Sequence, residues 1–120
     1  IHDLTNQVPI HVQGAVRKFM GKSFDDAPED YREASSINHI DKKDPPTLLL
    51  HGTIDTMAPV WHSDTLSQKL KEIGVPYTYD RIGGWPHVMD YFSPIGERTL
   101  WQCYQFLKTH VPSDKMTGSR

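Results

Sequence analysis

Thr47-Leu48-Leu49-Leu50 constrains this chain more than any other stretch. It is an apolar run without polar alternation, opened by Pro45-Pro46 and closed by His51-Gly52-Thr53. A strand with one wet face alternates. A run that does not is buried on both faces, the habit of strands in parallel sheets. No apolar run approaches the roughly 20 residues that a membrane span needs. The 120 residues make one domain at most, and no internal repeat is visible.

The chain around that strand has matching signals. Residues 62–73, or 60–73, read as a helix with Leu66, Leu70 and Ile73 on one face. Gly74 is its expected C′ residue, and Pro76 blocks continuation. Residues 75–82 read as a second strand, nearer a sheet edge, with Tyr77 and Tyr79 alternating with Thr78 and Asp80. A Gly83-Gly84 turn and the loop Trp85-Pro86-His87 follow. A last helix is expected to start at Ser93-Pro94, an N-cap and N1 pair, and to bury Leu100, Cys103, Tyr104 and Leu107 before Pro112 stops it. The first 46 residues are less regular. Val12, Val16, Phe19 and Met20 suit a helix over 11–20 stopped by Gly21, and a short helix is expected over 28–34.

Strand, helix, strand, helix with short connections implies a parallel pair in an α/β fold. A parallel sheet needs cover on both faces, and two strands make a poor one. The regular part therefore reads as one end of a larger three-layer α/β/α sheet. Residues 1–112 form the expected domain portion and 113–120 a tail.

Composition removes several function classes. Apolar residues are 37% and charged residues 23%, a globular balance and not a disordered one. The net charge is −2 without a basic stripe, so nucleic acid is not an expected partner. Cys103 is the single cysteine, which excludes an intrachain disulfide.

Ligands of open α/β sheets sit at the carboxyl ends of the strands. Two loops leave such ends, residues 51–59 and residues 83–90. The first offers Asp55 and the second His87. Adjacent parallel strands bring both to one edge. An Asp accepting from imidazole Nδ1 fixes the tautomer and leaves Nε2 as a base for a nucleophile. Alone, a loop Asp is usually a turn former and a loop His usually plain surface.

The context of the two residues adds to this. Pro45-Pro46-Thr47-Leu48-Leu49-Leu50-His51-Gly52-Thr53-Ile54-Asp55-Thr56-Met57-Ala58-Pro59 resembles the acid-bearing stretch of α/β-hydrolases. It is most similar to the esterase, lipase and dienelactone-hydrolase-like branch, with prolyl-oligopeptidase-type relatives. Gly83-Gly84-Trp85-Pro86-His87 resembles the loop that carries that family's histidine, and Tyr31-Arg32-Glu33-Ala34-Ser35 the stretch before the acid strand. Ile1-His2-Asp3-Leu4-Thr5 resembles the end of the strand after the family's elbow helix. The resemblance implies Asp55 as triad acid and His87 as triad base. Two departures stand out: Ala58 replaces the commoner Val, and Val88-Met89-Asp90 replaces the common Gly-Phe after the histidine. Asp90 is a rival for orienting His87, and Asp64 a weaker rival acid.

The family's nucleophile sits on a G-x-S-x-G elbow ahead of the acid and the histidine. No serine here has that context; Ser23 follows Gly21 but precedes Asp25 by two. The expectation is the carboxyl-terminal half of an α/β-hydrolase, supplying acid and base without nucleophile or oxyanion donors. The implied activity is carboxyl-ester hydrolysis through an acyl-enzyme, on a small acyl or sugar ester, with peptide or lactone substrates as neighbours. No cofactor is implied. Relatives occur in the cytoplasm and outside it, so both compartments stay open.

The expected partner is the missing amino-terminal half, or a second copy joined through an exposed sheet edge. Two competing readings remain: a hydrolase-derived interaction module that turns nothing over, and a small independent α/β domain with a chance likeness.

Other candidates are weaker. His2, His11, His39, His62 and His110 show no metal-ligand spacing. His51 is expected to make a structural hydrogen bond. Cys103 reads as core, and Trp61 and Trp85 as packing beside the two loops.

Overall fold

The computed structural model describes residues 2–5 and 8–112. Ile1 and the expected tail 113–120 lie outside the described residues. Residues 2–5 form no strand; Leu4 N–H donates to Ser35 Oγ and Ile37 N–H to the His2 carbonyl.

Helix α1 (Ile10–Met20) ends where the sequence says, at a left-handed Gly21 with φ 75°, a conformation glycine reaches at no Cβ cost. None of its residues is buried: Val12, Val16 and Met20 are half-buried, and Phe19 is 81% exposed. Helix α2 (Pro28–Glu33) starts on proline with Glu29 and Asp30 in its first turn, which complements the helix dipole. A 3-10 turn at Ser36–His39 leads towards the sheet.

Strand β1 (Thr47–Gly52), helix α3 (Trp61–Ile73), strand β2 (Tyr77–Ile82) and helix α4 (Ile95–His110) follow. β1 and β2 run parallel, in register from Thr47 opposite Tyr77 to Gly52 opposite Ile82. They form a two-stranded sheet. The second strand starts later than expected: Thr47 N–H donates to the Pro76 carbonyl, and Val75 is buried under α3.

Side chains alternate across a strand, and the alternation assigns each helix a face. Leu49, Tyr77 and Tyr79 pack with Leu66, Leu70 and Val75, beside Ile37 and Ile40. Leu50 and Ile82 pack with Met89, Trp85 and Ile95. Polar ties follow the same parity. Asp64 of α3 accepts from Tyr79 Oη and Arg81 Nε, while Asp80 accepts from Arg98 and Gln102 of α4.

The last helix departs from expectation. It begins at Ile95, and Ser93 Oγ donates to Glu97 Oε1 without capping the backbone. It buries Ile95 and Thr99, with Cys103 half-buried behind them at i+8. Leu100, Tyr104 and Leu107, expected inside, are exposed, as is Trp101. A sheet two strands wide covers only one narrow stripe of this helix.

Candidate active site

Both loops of interest leave the carboxyl ends of β1 and β2, and the backbone ties them together. Thr53 N–H donates to the Ile82 carbonyl at 3.0 Å and Ile54 N–H to the Trp85 carbonyl at 3.1 Å. Gly84 N–H donates to Thr53 Oγ1 at 2.8 Å. The approach is so close at Gly52 that a Cβ there would sit 2.1 Å from the Trp85 carbonyl oxygen. Only glycine fits this strand end.

Asp55 sits in the turn that follows. Its Oδ1 accepts from Met57 N–H at 2.9 Å and Ala58 N–H at 2.8 Å, an Asx-type turn that fixes the carboxylate. Its Oδ2 lies 2.7 Å from His87 Nδ1. The Asp55 side chain is 6% exposed and that of His87 43%. Burial raises the Asp55 carboxyl, but the Ala58 amide, the His87 imidazole and the Met57 amide outweigh it. The net effect holds the carboxyl below its ordinary value. An ionised carboxylate only accepts, so His87 Nδ1 carries the proton and Nε2 of the neutral ring keeps its lone pair. Both residues line a cleft of about 270 Å³ with Leu50, Ala58, Pro86 and Met89.

Neither rival acid makes a hydrogen bond to His87 among the described residues. Asp64 is occupied by Tyr79 and Arg81. Asp90 lines the same cleft. Val88, which follows the histidine, is held at φ 53°, ψ 34°, a left-handed conformation that strains a β-branched residue. His51 makes the expected structural bonds, to Ser63 Oγ at 2.6 Å and the Ala58 carbonyl at 2.7 Å. Trp61 stacks on His62 with ring centroids 3.8 Å apart, and Trp85 packs on the Ile82 cluster. No cluster of three metal-ligating side chains occurs among the described residues. A larger cavity of about 560 Å³, lined by Val16, Arg17, Phe24 and Tyr31 among others, contains neither Asp55 nor His87.

Two residues escaped the sequence reading. Ser63 has no elbow context, yet it is buried against His51; the shared parity of Leu49 and His51 on β1 was the signal that His51 faces α3. His62 is 1% exposed, and neither ring nitrogen has a hydrogen-bond partner among the described residues. Burial is the largest cause that lowers its pKa to about 4; Asp3 opposes the shift, and His2 and His51 add smaller contributions to it. No spacing pattern announces a buried histidine at the start of a helix.

A family model described as BD-FAE, an α/β-hydrolase-type esterase domain, matches residues 2–70, a span that includes Asp55. The chain belongs to this family. Two solved structures resemble this chain. One is a truncated form of a carbohydrate esterase from gut microbiota, with TM-score 0.59 and 25% identity, covering 71% of this chain and 30% of that one. The other is a thermophilic esterase from the Planctomycetes species Thermogutta terrifontis, described as propionate-bound. Its TM-score is 0.66 at 19% identity, over 90% of this chain and 40% of that one. No curated protein matches in sequence. The chain spans less than half the length of either structural neighbour and has a partial α/β fold. No helix among its described residues is long and apolar enough to cross a membrane.

Proposed function

We propose that this chain is the acid-and-base portion of a serine carboxylesterase, with Asp55 orienting His87 and His87 Nε2 moving the proton of a serine nucleophile. The single observation carrying this reading is the 2.7 Å contact between His87 Nδ1 and Asp55 Oδ2 at the carboxyl ends of adjacent parallel strands. In that role His87 takes the serine proton as the hydroxyl attacks an ester carbonyl, then returns it to the leaving alcohol. Asp55 stabilises the imidazolium between the two steps. The nucleophile and oxyanion donors come from sequence outside these 120 residues, because no G-x-S-x-G lies within them. On this reading β1 and β2 are the carboxyl-terminal end of a three-layer α/β-hydrolase sheet. The domain portion is then 1–112 and the tail 113–120. The substrate is a small carboxylic ester, acyl or sugar, and peptide bonds of the prolyl-oligopeptidase type are the neighbouring class.

The test is fluorophosphonate labelling of this chain beside the full gene product. The full product takes up the probe and this chain does not. Asp55→Asn in the full product slows labelling by about 10³-fold or more. Labelling of the isolated chain overturns the reading.

A second reading, a hydrolase-derived module that pairs without turnover, is favoured by the exposed Leu100, Trp101, Tyr104 and Leu107 on α4 and by a sheet whose strands are both edges. It expects a dimer by light scattering and no labelling of any gene product.

A further inference from the structure

The support beneath Asp55 runs through His51, which lines the same cleft but makes no hydrogen bond to His87 among the described residues. His51 Nε2 lies 2.7 Å from the Ala58 carbonyl oxygen and 3.4 Å from Asp55 Oδ2. Its Nδ1 lies 2.6 Å from Ser63 Oγ. A carbonyl only accepts, so Nε2 carries the proton, Nδ1 accepts, and the Ser63 hydroxyl donates to it. One imidazole thereby joins the strand that bears it, the acid loop through Ala58, and α3 through Ser63.

Ala58 is held from both sides. Its N–H donates to Asp55 Oδ1 at 2.8 Å, and its carbonyl accepts from His51. The Asx-type turn that aims the carboxylate is therefore fastened to the sheet at Ala58, and Pro59 stiffens the chain just beyond. The His51 side chain is 12% exposed and Ser63 is buried, so water replaces neither bond cheaply. We infer that His51 is a positioning residue for the Asp55–His87 pair, acting through Ala58 and through its own approach to Asp55 Oδ2, with Ser63 setting its tautomer. This rests on the reading above, that Asp55 orients His87. It adds that the orientation is lost when the turn is released from β1, although neither Asp55 nor His87 is changed.

The tautomer of His87 reports the effect. A free neutral imidazole favours the Nε2–H form, whereas an Asp55 carboxylate facing Nδ1 selects Nδ1–H. Long-range ¹H–¹⁵N spectra of the 120-residue chain, taken above neutral pH, read the ratio of the two forms. Nδ1–H dominates in the unsubstituted chain, and Asp55→Asn abolishes that preference, which tests the underlying pairing by itself. His51→Ala lowers the Nδ1–H to Nε2–H ratio about fivefold. His51→Gln restores most of it, because its amide reaches Ala58 from the Nε2 position. Ser63→Ala, which removes one oxygen and serves if His51→Ala fails to fold by circular dichroism, lowers the ratio by a smaller factor in the same direction.

A purely structural role would lower stability in these variants and leave the ratio in the folded fraction unmoved. An unmoved ratio in His51→Ala, or in Ser63→Ala where that variant stands in, overturns the inference while leaving the pairing intact, provided Asp55→Asn moves it. An unmoved ratio in Asp55→Asn overturns both.

Discussion

The two strand–loop–helix units of this chain are written alike and finished differently. β1, the acid loop and α3 make one; β2, the histidine loop and α4 make the other. In the first, Leu66 and Leu70 are buried, Asp55 is 6% exposed and the loop is fastened through His51 and Ser63. In the second, His87 is 43% exposed, Val88 is left-handed, and four large apolar side chains of α4 face outward. The difference lies in what is available to cover each unit. α3 spans both strands and meets Ile37 and Ile40 from the 3-10 segment. α4 finds only the single stripe of Ile95 and Thr99 against the sheet. An amphipathic sequence states which face seeks cover, and the neighbours decide whether it is found.

Truncations in the two helices sharpen this contrast most. Leu70 is 2% exposed, so Leu70→Ala costs about 3 kcal/mol in urea denaturation. Leu100 is 72% exposed, and Leu100→Ala changes stability by less than about 0.5 kcal/mol. Equal losses at the two positions would break the comparison and show that α4 is covered in solution.

Acid acts on the first unit through His62. Its pKa is about 4 in the folded chain and 6.5 when free, so the unfolded chain binds the extra proton between those values. Stability is full above pH 6.5 and falls as pH drops towards 4, by about 3 kcal/mol in all. His62→Leu flattens that limb of the stability–pH curve. Asp55 adds a second loss lower down. Its carboxyl is held below 3.8, so the stability it contributes is present above that value and disappears as pH falls through the folded one.

Gly52→Ala tests the seam between the units. The added Cβ meets the Trp85 carbonyl and has no flexible neighbour to displace, so the cost is about 2 kcal/mol. The same change separates the two loops, and the His87 ring ¹⁵N shifts lose their dependence on Asp55. An unchanged melting curve would mean that the loops are not joined at this point.

Val88→Gly probes the looser unit and has the smallest effect of the loop variants. It removes the left-handed strain of a β-branched residue at a modest entropic cost, for a net gain of about 1 kcal/mol. A loss in chemical denaturation would show that the Val88 side chain is needed where it sits.

Much of this was legible along the chain because it depends on near neighbours. The strand at Thr47–Gly52, Gly21 and Gly74 as helix stops, and a parallel pair follow from steric and hydrophobic patterns a few residues long, although only Leu49 of the apolar run is buried and Leu48 and Leu50 are half-buried. Asp55 and His87 were singled out because the parallel arrangement sends both loops to one edge, and their 2.7 Å contact uses that geometry. The burial of Leu100, Tyr104 and Leu107 was misjudged because periodicity marks an apolar face without saying what lies opposite. Ser93 lies one residue outside the cap because the helix starts at Ile95, which puts Pro94 at the N-cap position.

The sequence by itself determined the elements, their order, the family likeness and the acid and histidine that merit attention. All of these rest on local stereochemistry and on residue types at short spacings. Only the tertiary structure decided that His51 reaches Ser63 and Ala58, that Gly52 sits against the Trp85 carbonyl, and that His62 is buried without a hydrogen-bond partner among the described residues. Those facts depend on distances between separate elements and loops. Packing sets such distances, and no single stretch of sequence encodes them.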